Sequence, residues 1–200
     1  MAHRDWRHAV VPLTYAVQGS QSGMLLRHYK DDPVREARTH HSRIIDRLLY
    51  LGIMLHENCI GNRLARPITP RLAIPSLKDR PGPHPFSAIA RRLRAVNESS
   101  VLTPKVDSHH RGISARHFAL KPAIDLTGQH VLLLDDTWTT GASAHSAALA
   151  LRAAGAETVS VMVIGRWLVP RYQHNTEFIA GRLSHDYDPR RCPVTGGDCP

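Results

Sequence analysis

In the stretch 131–143, VLLLDDTWTTGAS, four apolar residues run into two adjacent carboxylates, followed by hydroxyl side chains and a glycine. These residue types, in this order, suit two pieces of chemistry. Amides in the first turn of a helix have no intrahelical partner and sit at the positive end of the helix dipole. If a helix begins here, Thr139, Thr140, Gly141, Ala142 and Ser143 offer a nest of N–H groups with hydroxyls beside it. Gly141 removes the side chain that would hold a phosphate away. Asp135 and Asp136 would repel that phosphate if aimed at it. They are therefore expected to accept from neutral hydroxyls or to hold a divalent cation. A phosphorylated ribose presents both partners. A plain strand end followed by a capped helix would need one hydroxyl and no acidic pair. The segment is neither a GxxxxGK[ST] loop nor a GxGxxG fingerprint.

Other chemistry-bearing residues are scattered. Cys192 and Cys199 have six residues between them, and Cys59 stands far upstream, with fourteen histidines able to complete a four-ligand set. Structural zinc sites commonly space their cysteines more closely, so a structural zinc at Cys59, Cys192 and Cys199 competes with free thiols. The run Arg91-Arg92-Leu93-Arg94 and the group His109-His110-Arg111 could attract a nucleic-acid backbone, but no DNA- or RNA-binding signature accompanies them. The polar stretch 107–117 reads either as an exposed basic loop or as part of a site.

These residues need elements to position them. Residues 1–30 read as a short extended or turn-rich segment. Asp32 is placed to cap a helix with Pro33 at its first position, and Ile44, Ile45, Leu48, Leu49, Gly52 and Leu55 recur at helical spacing over 33–57, with Gly61 and Asn62 as terminators. Leu72, Ala73 and Ile74 form a short apolar run before a loop rich in Pro and Gly, and a second helix is predicted over 85–97. Residues 131–134 read as a strand ending at an acidic turn. A helix from the nest to Gly155 follows, then a strand over 158–164. Strand, loop, helix and strand in that succession make a βαβ unit, which requires a mostly parallel sheet covered by helices on both faces. No repeat or linker divides the chain, so 1–200 is read as a single domain, with 183–200 an irregular C-terminal extension.

Composition bounds the rest. With 42% hydrophobic and 22% charged residues the chain can bury a core, and 26 Lys plus Arg against 17 Asp plus Glu favour anionic partners. No run approaches the ~18 apolar residues of a membrane span, which argues against a membrane partner. The basic N-terminus lacks the apolar centre of a secretory signal, and three cysteines make no disulfide framework. A cytoplasmic location is the expectation.

VLLLDDTWTTGAS resembles the signature of the type I phosphoribosyltransferases, and the chain is most similar to their ComF-like branch, with a looser match over 72–164. The resemblance implies an α/β fold with a mostly parallel central sheet and a variable hood. It implies a Mg²⁺-dependent reaction of phosphoribosyl pyrophosphate with a small nitrogenous base or amine. Asp135 and Asp136 would then meet the ribose hydroxyls and, through substrate or water, Mg²⁺, while Thr137, Trp138 and the nest through Ser143 hold the 5-phosphate. Ser76, Leu77, Lys78 and Arg80 fall where the family binds pyrophosphate, and Arg111 where a basic residue covers the site as a third catalytic group. Tyr29, Lys30 and Trp167, with Tyr172 and Phe178, fall to the hood that recognises the acceptor. A homodimer is compatible with this reading. Two departures stand out: Thr137-Trp138 replaces the usual small aliphatic pair, and the N-terminal cysteine-rich zinc module of ComF-like proteins has no counterpart here. A non-catalytic sensor of phosphoribosyl pyrophosphate or a nucleotide, or a competence-related protein associated with nucleic acid, remains the alternative function.

Overall fold

A computed structural model describes residues 9–77, 82–96, 101–105 and 112–200. Four strands, β1 (Val10–Val17), β2 (Arg71–Ala73), β5 (His130–Trp138) and β6 (Thr158–Leu168), form a sheet in the order β1-β6-β5-β2, and every adjacent pair is parallel. A second, two-stranded antiparallel ribbon pairs β3 (Val101–Pro104) with β4 (Phe118–Lys121). The helices are α1 (Gln21–His28), α2 (Arg35–Arg63), α3 (Pro85–Arg92), α4 (Ala142–Ala153) and α5 (Asn175–Arg182). The parallel α/β class expected from the βαβ pattern is therefore present.

Side chains alternate across a strand, so β5 feeds two cores. Leu132 and Leu134 join Leu26, Tyr29, Ile45, Leu49, Phe86 and Ile89 from α1, α2 and α3 on one face. Val131 and Leu133 join Ala144, Ala147 and Leu151 of α4 and Leu102 and Phe118 of the ribbon on the other. Both faces are covered, which is why β5 and β6 read as unbroken apolar runs.

Several boundaries differ from the sequence reading. Of the two readings of the N-terminal segment the extended one holds for β1, paired along β6, while the helix α1, capped by Ser20, was not expected. Pro12 interrupts the strand pattern, but β1 is a sheet edge, where a missing N–H is tolerated. Helix α2 starts at Arg35 rather than Pro33, with the Asp32 carboxylate accepting from Val34 N–H at 2.9 Å, and it runs through Gly61 to Arg63. Gly61 was expected to terminate this helix. It is buried within it instead, close to the Arg66 carbonyl and Pro67. Helix α3 stops at Arg92, and Arg94 takes a positive φ of 50° beyond it. Gly155, at φ +97°, follows the last turn of α4 as expected.

Strand β5 does not end at Leu134 but continues through Asp135, Asp136, Thr137 and Trp138, held by pairing of Asp135 with Val163, Thr137 with Gly165 and Trp138 with Arg166. The partner strand β6 is itself four residues longer than the apolar run 158–164, ending at Leu168. Backbone pairing with a long neighbour outweighs the low strand propensity of aspartate. Among the described residues no helix is long and apolar enough to cross a membrane.

Candidate functional site

Because Asp135 and Asp136 are consecutive strand residues, they face opposite sides of the sheet. Asp136 continues the Leu132–Leu134 face and meets the N-terminal elements. Its Oδ2 accepts from the Tyr29 hydroxyl, lies 2.6 Å from Lys30 Nζ and is 3.8 Å from His84 Nε2. Lys30 Nζ also sits 5.5 Å from the centroid of the Tyr29 ring. Burial acts to raise the Asp136 carboxyl, but the Lys30 charge and hydrogen bond, the Tyr29 hydroxyl and His84 outweigh it and hold the group below the ordinary carboxylate range.

Asp135 continues the Val131–Leu133 face, towards α4. Its Oδ1 accepts from the Asp136 N–H at 2.9 Å. Burial, and then the neighbouring Asp136 charge, push its carboxyl well above the usual range, against the smaller opposing effects of that N–H and Lys30. The pair is therefore electrostatically asymmetric, with Asp136 the settled anion and Asp135 the acid that resists ionising without a further cation or donor.

Past Trp138 the chain turns at Gly141, which caps α4 at φ +78° and makes no side-chain cap bond. A Cβ on Gly141 would lie 2.3 Å from Cζ2 of Trp138, so the indole and the glycine are mutually fitted. Trp138 also meets the His145 ring edge-on, with centroids 5.4 Å apart, and packs against the α4-side core. The indole thus forms the floor of the turn. Thr139 and Thr140 are exposed, and Ala142 and Ser143 are half-buried at the open end of α4. The Thr140 hydroxyl reaches Ala142 N–H at only 3.5 Å, a long contact that leaves this helix end able to receive an anion.

Strand β2 pairs Ala73 with Leu134, and Ile74 N–H donates to the Leu134 carbonyl at 2.9 Å. Ser76 and Leu77 follow two residues further on, with Leu77 packed against the α4-side core. Lys78, Arg80 and Arg111 lie outside the described residues. The connection that carries Arg111 joins β3 to β4, and its returning end is tied to α4: Ser114 N–H donates to Ser146 Oγ at 3.1 Å, and His117 Nδ1 lies 3.2 Å from the same hydroxyl.

Of the residues assigned to a hood, Tyr29 has a fully buried ring and Lys30 pairs with Asp136, so both meet an acid of the site. Trp167 is half-buried against the α1–α3 core, and Phe178 of α5 packs on Tyr15 of β1 with ring centroids 5.0 Å apart. Tyr172 is exposed. His84 was not anticipated. It precedes α3 in a Pro- and Gly-rich loop whose composition gives no sign of what the histidine faces.

A second constellation lies elsewhere. His56, Cys59, Cys192 and Cys199 bring one ligand atom each to within 4.8 Å of one another and could hold a metal ion such as zinc. His56 is the member that sequence reading missed; its signal is the pair His56 and Cys59, three apart on one face of a helix. All three cysteines are free. Burial, helped by Cys199 and Cys192, pushes the Cys59 thiol up to about 12. Burial acts to raise Cys192 also, but N–H groups of Thr195 and Val194 directed at its sulfur bring it below the ordinary thiol value.

The chain matches no protein-family model, and no curated protein matches it.

Proposed function

We propose that the chain binds phosphoribosyl pyrophosphate and transfers its phosphoribosyl group to a small nitrogenous base or amine, as a type I phosphoribosyltransferase does. The observation that carries this reading is the continuity of β5 into α4. One strand delivers Asp135 and Asp136, and the turn at Gly141 then opens the uncapped amides of α4 at the carboxyl end of a parallel sheet. Ligands of open parallel sheets bind at that end. A ribose 5-phosphate would place its phosphate on the α4 amides and its hydroxyls towards Asp135, which shares the α4 face.

In the reaction, a nitrogen lone pair forms the bond to the anomeric carbon, the bond from that carbon to the pyrophosphate oxygen breaks, and pyrophosphate leaves with the electron pair. The amides at 142–143 orient the sugar phosphate. Ser76 and Leu77, which follow β2, are proposed to take the pyrophosphate together with Lys78 and Arg80. Asp135 accepts from ribose hydroxyls and, once ionised, favours positive character on the ribose. Lys30 and Tyr29 hold Asp136 in place as an anion.

Mg²⁺, when bound, supplies charge to the pyrophosphate. The acids alone would not hold it: Asp136 Oδ2 is engaged by Lys30 and Tyr29 and Asp135 Oδ1 by a backbone N–H, and no cluster of three metal-binding side chains surrounds the acids among the described residues. The ion would therefore have to be carried mainly on substrate oxygens, as is usual for Mg²⁺.

The test is calorimetry with phosphoribosyl pyrophosphate, ribose 5-phosphate and nucleoside monophosphates, with and without Mg²⁺, followed by pyrophosphate release over a panel of bases and amines. Replacing both acids, Asp135→Asn with Asp136→Asn, should abolish Mg²⁺-dependent binding. Unchanged affinity in a folded double variant would sink the assignment.

A further inference from the structure

The ribose-phosphate reading makes no use of the histidine–cysteine cluster, which sits at the other end of the sheet. Helix α2 runs against the strands: Ser42 Oγ reaches the Tyr29 carbonyl near Asp136, whereas Arg66, just past the helix, offers its carbonyl to His130 Nδ1 at the first residue of β5. From Ser42 to His56 a helix advances about 21 Å, and from His130 to Asp136 a strand advances about 20 Å. The cluster therefore lies at the amino ends of the strands, on the side away from the acids.

We infer that His56, Cys59, Cys192 and Cys199 form a closed, four-coordinate zinc site that fastens the C-terminal tail to the end of α2.

Three sulfurs and one imidazole nitrogen suit Zn²⁺ and are poor ligands for Mg²⁺ or Ca²⁺. A tetrahedral zinc with bonds of about 2.3 Å to sulfur and 2.0–2.1 Å to nitrogen sets sulfur–sulfur separations of about 3.8 Å and sulfur–nitrogen separations of about 3.6 Å. The four donors lie within 4.8 Å of one another, and Cys199 Sγ is 3.4 Å from His56 Nδ1. Only a small contraction onto a common centre is needed. A disulfide would join two of the sulfurs and leave the third, with the imidazole, without a use.

The surroundings are built for the same end. His56 Nε2 lies 2.8 Å from the Pro189 carbonyl, which can only accept, so the neutral ring carries its proton there and turns the Nδ1 lone pair to the sulfurs. Cys192 N–H donates to the Gly197 carbonyl at 2.7 Å, and Gly196 N–H donates to the Cys192 carbonyl at 2.8 Å, a tight loop that returns the chain so that Cys199 faces Cys192. Gly196 takes φ +82° in that loop.

The site has a mechanical reason. Residues 183–200 contain no helix or strand; Val194 packs against the α1–α3 core and Cys192 is fully buried. Their hydrogen bonds to α2 include the His56–Pro189 contact, Arg63 Nη1 donating to the Val194 carbonyl at 2.9 Å, and the Cys199 thiol against the Leu55 carbonyl at 3.8 Å. Four protein ligands leave no open coordination position, so the ion is structural and not a Lewis acid for substrate.

The experiment is elemental analysis of the chain purified without a metal-affinity step, which should find one zinc per chain. Exchange for Co²⁺ should give thiolate-to-metal charge-transfer bands and the strong visible bands of a tetrahedral centre. Cys192→Ser and Cys199→Ser should each lower zinc occupancy to near zero after dialysis against a mild chelator, whereas His56→Cys should keep the ion and shift the cobalt spectrum. Should the serine variants fail to fold, the native chain still decides: all three thiols should resist alkylation until zinc is stripped. Native protein that contains no zinc, takes up neither Zn²⁺ nor Co²⁺, and leaves its thiols equally reactive with and without added metal would overturn the site. Full occupancy in both serine variants would do so as well. Binding of phosphoribosyl pyrophosphate is read separately and can fail without affecting any of these results.

Discussion

Replacing Gly141 with alanine tests how the turn before α4 is built. An alanine at φ +78° carries the left-handed penalty of about 1–2 kcal/mol. Its Cβ would also stand 2.3 Å from Cζ2 and 2.5 Å from Cη2 of Trp138, where ordinary contact begins near 3.4 Å. The indole would have to move by about 1 Å against the α4-side core and His145, a strain of the size seen on overpacking, about 1–3 kcal/mol. Gly141→Ala is therefore expected to cost about 2–5 kcal/mol in total. The two parts separate in a double-mutant cycle. With Trp138→Ala as background the steric part vanishes and only the backbone part remains, leaving a coupling of about 1–3 kcal/mol between the positions. Urea unfolding of the four proteins measures it, provided the m-values agree. A coupling below about 0.5 kcal/mol would show that the indole does not shape the turn and refute the packing argument. The same substitution should abolish any stabilisation by ribose 5-phosphate, because the displaced turn no longer aims the α4 amides.

The acids give opposite pH signatures. Asp136, held below the ordinary range, contributes stability that is present above its unfolded-state pKa and lost as pH falls through its folded value. Asp135, held above the range, contributes stability that is present at low pH and lost as pH rises through its raised value. Asp135→Asn should consequently raise the Tm near neutral pH, change it little near about pH 4, and remove ligand binding; thermal melts over that span check it, and a Tm loss that grows with pH would contradict the sign. Lys30→Met strands the Asp136 carboxylate and should destabilise the fold by about 3 kcal/mol at neutral pH, with recovery in the double variant carrying Asp136→Asn. Gly23→Ala would put a Cβ 2.1 Å from the Val17 carbonyl, so α1 must shift off β1 and the loss should show in chemical denaturation.

The sequence by itself determined the parallel α/β class, because β5 and β6 are buried on both faces and α4 follows at helical spacing. It also determined the glycine after α4 and the association of two acids with a helix N-terminus, since strand, turn and helix start are all local. The tertiary structure alone decided where the acids point. Whether β5 stops at Leu134 or runs on to Trp138 depends on backbone pairing with β6, and that one difference sends Asp135 and Asp136 to opposite faces. Tyr29 and Lys30 come to Asp136 from more than a hundred residues upstream, through packing of α1 that no short pattern encodes. The cysteines were visible, and their separation left a structural zinc in competition with free thiols. What joins them is α2 running past Gly61 with His56 and Cys59 on one face, and a tail that folds back to meet it. Long-range contacts of this kind depend on chain reach and packing, and local sequence carries only their parts.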